Sequence, residues 1–330
     1  MFLNKRMSLG IFLLPFFLSL FIFPLLHMQA AGQDYPVRPI NLVVPYPPGG
    51  ASDLTCRTIV ETMRKTLGQP VVIENKPGGG CTVAYTLVAK AKPDGYTVGY
   101  VALGSLINNY LSYEVSYHPL KSFTFIGGLA NFGESIVVKS DVSWKTWDEL
   151  IDYARNHPGE LRMGFAGALG SNSISTKWAA KKLGIKWKEV IFPGEPEVIT
   201  ALLGGNVDAF AGGGSHNILV KDGRARMLLA LTIDPIPGYP HVPTFKKVFG
   251  KDTMNAGGLM APSGIPEPSL KKLEQAVQDA AKDPGFIKTM EKISWTPQAR
   301  TAKEFTQDVN TALTTFRDLL RDLDLLKRKE

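Results

Sequence analysis

The sequence predicts an α/β protein made of two strand–helix units. Three observations carry this. Short apolar runs alternate with segments whose apolar residues recur at helical spacing. The links between them are short, which favours right-handed crossovers and parallel sheets. Glycine-rich loops follow the strands, and 330 residues exceed what one core usually holds.

Residues 1–31 come first as an export signal. Asn4-Lys5-Arg6 is a short positive region, 9–26 are almost wholly apolar, and Met28-Gln29-Ala30-Ala31 offers small residues for cleavage. The run is nearly long enough for a membrane anchor, but Pro15 and Pro24 interrupt it. No cysteine follows it to carry a lipid. Without the signal, Lys5 and Arg6 leave the 37 basic residues, so the remainder is only slightly basic against 30 acids. That excess is dispersed, which argues against nucleic acid as a partner.

Ile40–Val44 reads as a buried strand, stopped by Pro45, Pro47, Pro48, Gly49 and Gly50. Ser52 or Asp53 caps a helix whose apolar side is Cys56, Ile59, Val60, Met63 and Leu67, ending at Gly68. A strand at 71–73, a helix through Ala84, Leu87 and Val88, and a strand at 96–101 complete the first unit. Thr146 and Glu149 form a capping box for a helix reaching Ala154. Then come a strand Arg162–Ala166, a helix to Leu183, a strand at 187–192, a helix Glu195–Leu203, and strands at 207–210 and 225–231. The C-terminal third is helical at 269–282 and 284–293. A box of Thr301 and Glu304 opens a long amphipathic helix through Phe305, Val309, Ala312, Phe316, Leu319 and Leu323.

The glycines fall where function is expected. Loops 47–53, 77–80, 167–173 and 212–215 each follow a strand at its C-terminal end, outside which open α/β sheets bind ligands. Three lead into helices, whose free N–H groups attract anions. Ser52, Ser171, Ser173 and Ser215 add hydroxyl donors, so the pattern suits a carboxylate held without Lys or Arg. Tyr46 precedes the first loop and could wall a cleft, whereas Asp53 reads first as a helix cap. The tryptophans, Trp295 included, read as packing residues. Phosphate-loop, dinucleotide and hydrolase-elbow motifs are absent. The histidines are scattered and read as surface or loop residues, so no metal site is expected. No nucleophile–base pair stands out, and neither an enzyme nor a cofactor is expected. Cys56 and Cys81 lie near the starts of the first two helices; export permits a disulfide, and two packed free thiols fit equally.

Several stretches carry a family resemblance. Tyr35-Pro-Val-Arg-Pro-Ile40, Val44-Pro-Tyr-Pro-Pro-Gly-Gly-Ala-Ser-Asp53, Leu67-Gly-Gln-Pro-Val-Val-Ile-Glu-Asn-Lys-Pro-Gly78 and Pro93-Asp-Gly-Tyr-Thr97 are among them. Pro119-Leu-Lys-Ser-Phe123, Ala201-Leu-Leu-Gly-Gly-Asn-Val-Asp208, Val242-Pro-Thr244 and Ala261-Pro-Ser-Gly-Ile-Pro266 continue it through the chain. The sequence resembles the Bug family, extracytoplasmic solute receptors of tripartite tricarboxylate transporters. The resemblance implies a periplasmic-binding-protein (type II) fold, with one lobe at 33–131 plus 259–330 and the other at 132–258. It implies a monomer in the periplasm that captures a small organic acid and delivers it to membrane permease subunits. A sensor role and an exported enzyme on the same scaffold are the alternatives.

The candidate ligand-binding residues are Tyr46, Gly49, Gly50, Ala51, Ser52, Asp53, Gly79, Gly80 and Ser105 on the first lobe. Gly170, Ser171, Asn172, Ser173, Gly194, Gly212, Gly213 and Ser215 belong to the second. The sequence departs from the family pattern where Ile174 replaces a usual His, Phe192-Pro193 a Tyr-Lys, and Ala211 an acid. Fewer polar side chains are therefore expected on the second lobe, with an apolar or aromatic part of the ligand there and its carboxylate on the first.

Overall fold

The computed structural model describes residues 35–251, 253 and 255–327. The export signal at 1–31 lies outside them. Two mixed sheets organise the chain.

The first sheet begins with β1 (Ile40–Val44), which alternates faces as a strand must: Ile40, Leu42 and Val44 enter one core and Val43 another. Helix α1 (Ala51–Leu67) packs Cys56, Ile59, Met63 and Leu67 into the first of these cores. Gly68, left-handed at φ 69°, ends it by donating to Arg64 O. β2 (Val71–Asn75), α2 (Thr82–Lys90) and β3 (Thr97–Ala102) follow, and β1 pairs in parallel with both strands, as the short crossovers predict. Burying each large apolar side chain here is worth about 1.5–3 kcal/mol.

The stretch from 103 to 139 has no counterpart in the sequence reading. α3 (Leu103–Ser112) is buried at every position, so it shows no polar face to reveal its period. β4 (Phe123–Asn131) and β5 (Ser135–Lys139) come next, with the chain passing between sheets at 132–134.

The second sheet holds β5, β6 (Arg162–Ala166), β7 (Lys188–Phe192), β8 (Ala209–Gly212) and β9 (Ala225–Ala230). Its helices are α4 (Trp147–Asn156), α5 (Ser171–Leu183), α6 (Glu195–Leu203), α7 (Asn217–Lys221) and α8 (Phe245–Phe249). Thr146 Oγ1 accepts from Glu149 N at 3.2 Å, the expected cap of α4. The chain returns through β10 (Ala256–Pro262), then α9 (Glu267–Ala281), α10 (Pro284–Lys292), β11 (Thr296–Arg300) and α11 (Ala302–Asp322), whose capping box forms.

The strand orders are β11-β4-β10-β3-β1-β2 and β7-β6-β8-β5-β9. Both keep a parallel triplet and add antiparallel strands, so neither sheet is purely parallel as expected. In the first, β10 runs antiparallel to β3 and β4; in the second, β5 runs antiparallel to β8 and β9. These are the strands bordering the two crossings, where the chain changes sheet and arrives in the opposite sense. Helix α11 lies on α3 and β4, and Trp178 Nε1 of α5 donates to its Asp322 at 2.8 Å. That helix joins the two halves. Among the described residues, no helix is long and apolar enough to cross a membrane.

Candidate functional site

The C-terminal ends of the parallel triplets face one another across a cleft with about 560 Å³ of free space, its mouth included. Tyr46, Gly50, Ala51, Ser52 and Ser105 line it from the first sheet. Gly170, Ser171, Asn172, Gly194 and Gly213 line it from the second. The N-terminal turns of α1 and α5, whose first N–H groups have no partner within their own helix, therefore open onto one space. Tyr46 hydroxyl shares a 3.0 Å hydrogen bond with Ser105 Oγ at one wall.

The other predicted residues stand behind or beside it. Asp53 is not the cap of α1; Gly50 is, without a side-chain bond. The Asp53 carboxylate instead accepts from Gly49 N (2.9 Å), Asn75 Nδ2 (2.9 Å) and Arg57 Nε (2.8 Å). It thus fixes the loop that Gly49, at φ +88°, allows to turn. Burial opposes its charge, but these donors hold its carboxyl below the usual range. Gly79 and Gly80 border an outer groove that shares Tyr46, Ser105 and Gly170 with the cleft. Ser173 Oγ donates to Gly167 O at 2.7 Å, and Gly212 belongs to β8 against His216. Cys56 and Cys81 are free and buried in different cores, so the pair is not bridged. Burial pushes the Cys81 thiol up to about 11.

Two buried carboxylates were not anticipated. Glu195, at the first position of α6, accepts from Gly213 N, from Ser215 Oγ and, at 3.2 Å, from Ser215 N. Ser215 is thereby committed to Glu195 rather than to the cleft. His216 is fully buried, not a surface residue; its Nδ1 stands 3.8 Å from Glu195 Oε1 and its Nε2 2.7 Å from Ser135 Oγ. Burial alone would raise Glu195, but His216, Ser215 and the Gly213 N–H together hold it below the carboxylate range.

Glu134 lies in the crossing at 132–134 and is 3% exposed. Its Oε1 accepts from Ser171 Oγ (2.5 Å) and Asn255 Nδ2 (2.9 Å), whereas its Oε2 has no partner. Burial pushes its carboxyl up to about 7; Ser171 and Asn255 oppose the rise and the negative charge of Glu195 adds to it. Asn255 comes from the returning crossing, so both crossings meet at this residue. Phe132 and Trp295 stack alongside, ring centroids 4.0 Å apart at 21°, and Trp295 Nε1 donates to Gly213 O.

Polar side chains come equally from both sheets, Tyr46, Ser52 and Ser105 from the first and Ser171, Asn172 and Glu195 from the second. Glu134 and Asn255 come from the crossings, and Phe132 and Trp295 flank the ends of β4 and β11. Contrary to the sequence expectation, the second sheet is therefore not the poorer in polar side chains. Sequence patterns could not place Asn255 or Trp295, which tertiary contacts bring in. A lone acid between two apolar strands, Phe132-Gly-Glu134-Ser, was the available signal for Glu134. Among the described residues, no Lys, Arg or His lines the cleft, and no cluster of His, Cys, Asp or Glu could hold a metal ion.

The two faces already touch at the mouth. Gly194 is extended at φ −162°, a conformation any residue adopts, yet an added Cβ would stand 2.6 Å from Pro47 Cγ on the opposite face. Gly194→Ala is expected to leave the urea midpoint within experimental scatter while weakening ligand binding roughly tenfold, because it penalises only the closed arrangement. Calorimetric titration beside urea unfolding checks this. Equal losses in both would place the strain inside the second sheet instead.

Two α/β sheets around a shared cleft, entered by helix N-termini and joined by paired crossings, are the architecture of the periplasmic-binding-protein fold. The description "Tripartite tricarboxylate transporter family receptor" matches residues 55–325, and the chain belongs to that family. A "UPF0065 protein in gbd 5'region" of Cupriavidus necator is 30% identical over 300 residues, covering 91% of each chain. The BugT protein of Bordetella pertussis is 25% identical over 276 residues, 81% of this chain and 83% of its own. Among solved structures, the periplasmic binding protein BugD superposes with a TM-score of 0.83 at 26% identity, over 89% of this chain and all of its own, 100%. MatC from Rhodopseudomonas palustris, with bound malate, gives 0.80 at 28% identity over 87% of this chain and 100% of its own. A second R. palustris protein, solved with adipate, gives 0.83 at 25% identity over 88% and 98%.

Proposed function

We propose that this protein captures a small organic carboxylate in the cleft and delivers it to membrane permease subunits. It does so without chemical turnover, in the periplasm, after removal of residues 1–31. The observation that carries this is the pairing of the α1 and α5 N-terminal turns across one cleft, a cationless arrangement suited to a carboxylate. The malate and adipate bound by the two R. palustris relatives support it. We assign one lobe to the first sheet and the other to the second. The division at 258/259 expected from sequence would cut β10, so the first lobe resumes at Ala256. Closure excludes water from the ligand's hydrogen bonds, and differential affinity for the closed form drives it.

A thermal-shift panel of malate, adipate, citrate and benzoate tests the reading. A ligand at 100 times its Kd adds about 2.7 kcal/mol of apparent stability. NMR of the recovered ligand should show it unaltered. No shift with any acid, or conversion of the bound acid, would overturn the proposal.

A further inference from the structure

The unpartnered oxygen of Glu134 has a chemical consequence that rests on the carboxylate reading above. Both protein donors, Ser171 Oγ and Asn255 Nδ2, converge on Oε1. A proton on this carboxyl therefore belongs on Oε2, which is buried in the cleft wall with no acceptor. Ionised, Glu134 would leave a bare anionic oxygen in a site without a cation. Neutral, it offers a donor in need of an acceptor, and a ligand carboxylate supplies one.

We propose that Glu134 binds the ligand as the neutral acid, its Oε2–H donating to a ligand carboxylate at the N-terminal turn of α5. The proton comes from solvent and stays on Glu134, so ligand and proton enter together. Other groups set the balance. Glu195 from α6 disfavours ionisation of Glu134, and His216 from the β8–α7 loop lies beyond Glu195. The α5 and β10 sides present only uncharged Ser171, Asn172 and Asn255; Tyr46 and Trp295 complete the wall. A carboxyl titrating at about 7 is near half-protonated at neutral pH, so a ligand carboxylate can select its acid form at little cost.

Malate and adipate, both fully ionised above pH 6.5, are the probes. Between pH 6.5 and 8.5 wild-type affinity is expected to fall more than tenfold, since the neutral fraction falls about 25-fold for a group titrating near 7. Calorimetry in buffers of different ionisation enthalpy should show close to one proton taken up per ligand at pH 8.5. Glu134→Gln keeps an acceptor for Ser171 and Asn255 and puts an N–H donor where Oε2 stood. It should bind with pH-independent affinity and take up no proton. A flat wild-type profile overturns the proposal while leaving the receptor reading intact. So does proton release on binding, the signature of a complex that holds Glu134 ionised. An unchanged pH slope in Glu134→Gln would place the proton on another group and also overturn it. Binding of neither acid at either pH, with no shift from any acid of the four-member panel, would defeat both.

Discussion

Raising the pH from 5 to 8 is expected to lower the unfolding free energy of the ligand-free protein by about 2–3 kcal/mol through Glu134 alone. The folded carboxyl titrates at about 7 against the ordinary glutamic acid value of 4.5, so between these values the folded state binds more protons than the unfolded one. Stability conferred by the protonated form is thus present below about 4.5, drains away as pH rises, and stops changing above the folded value. Carboxylates with lowered folded values, Asp53, Asp208 and Glu195, act in the opposite direction and lose their contribution only at lower pH. They are ionised throughout this window and leave the sign unchanged. Urea unfolding at pH 5 and 8 measures the effect, and Glu134→Gln should remove most of it. A midpoint that rises with pH, or a Gln variant that parallels wild type, would show that Glu134 is not held as a buried acid.

Trp295→Ala should cost more, about 3–5 kcal/mol, the range for deleting a buried aromatic. The indole is 2% exposed, stacks on Phe132, and tethers the Gly213 carbonyl. Its removal opens a cavity beneath the cleft and loosens the loop that holds Glu195 through Gly213 and Ser215. Ligand affinity should therefore fall along with stability. Trp295→Phe keeps the stack and loses the hydrogen bond, so about 1 kcal/mol is expected. Urea midpoints and calorimetric titration of both variants check the pair. A loss below about 1 kcal/mol for the alanine variant would mean the wall refills by collapse.

Much of the frame was legible in residue order. β1 was bounded by its own prolines and glycines, α6 closed by Gly204, and α11 opened by its capping box, because each is set by local chemistry. Three of the four glycine loops, 47–53, 167–173 and 212–215, reach the cleft, because strand-to-helix turns lie at one end of a parallel triplet, whereas 77–80 borders the outer groove. What stayed hidden has equally physical causes. α3 is buried all round, so its period carries no polar stripe. Ser215 looked like a free donor until Glu195 folded back onto it.

The sequence by itself determined two α/β units with glycine loops at their strand ends, because hydrophobic period and turn chemistry are local properties. Only the tertiary structure decided that Glu134, Asn255 and Trp295 line the space between them. These residues reach the cleft through the crossings and the ends of β4 and β11, whose placement follows from packing between sheets. Both carboxylates are buried, and it is the number of donors around each that separates them. Glu195 is surrounded by donors that favour its charged form, whereas Glu134 keeps one oxygen without a protein partner.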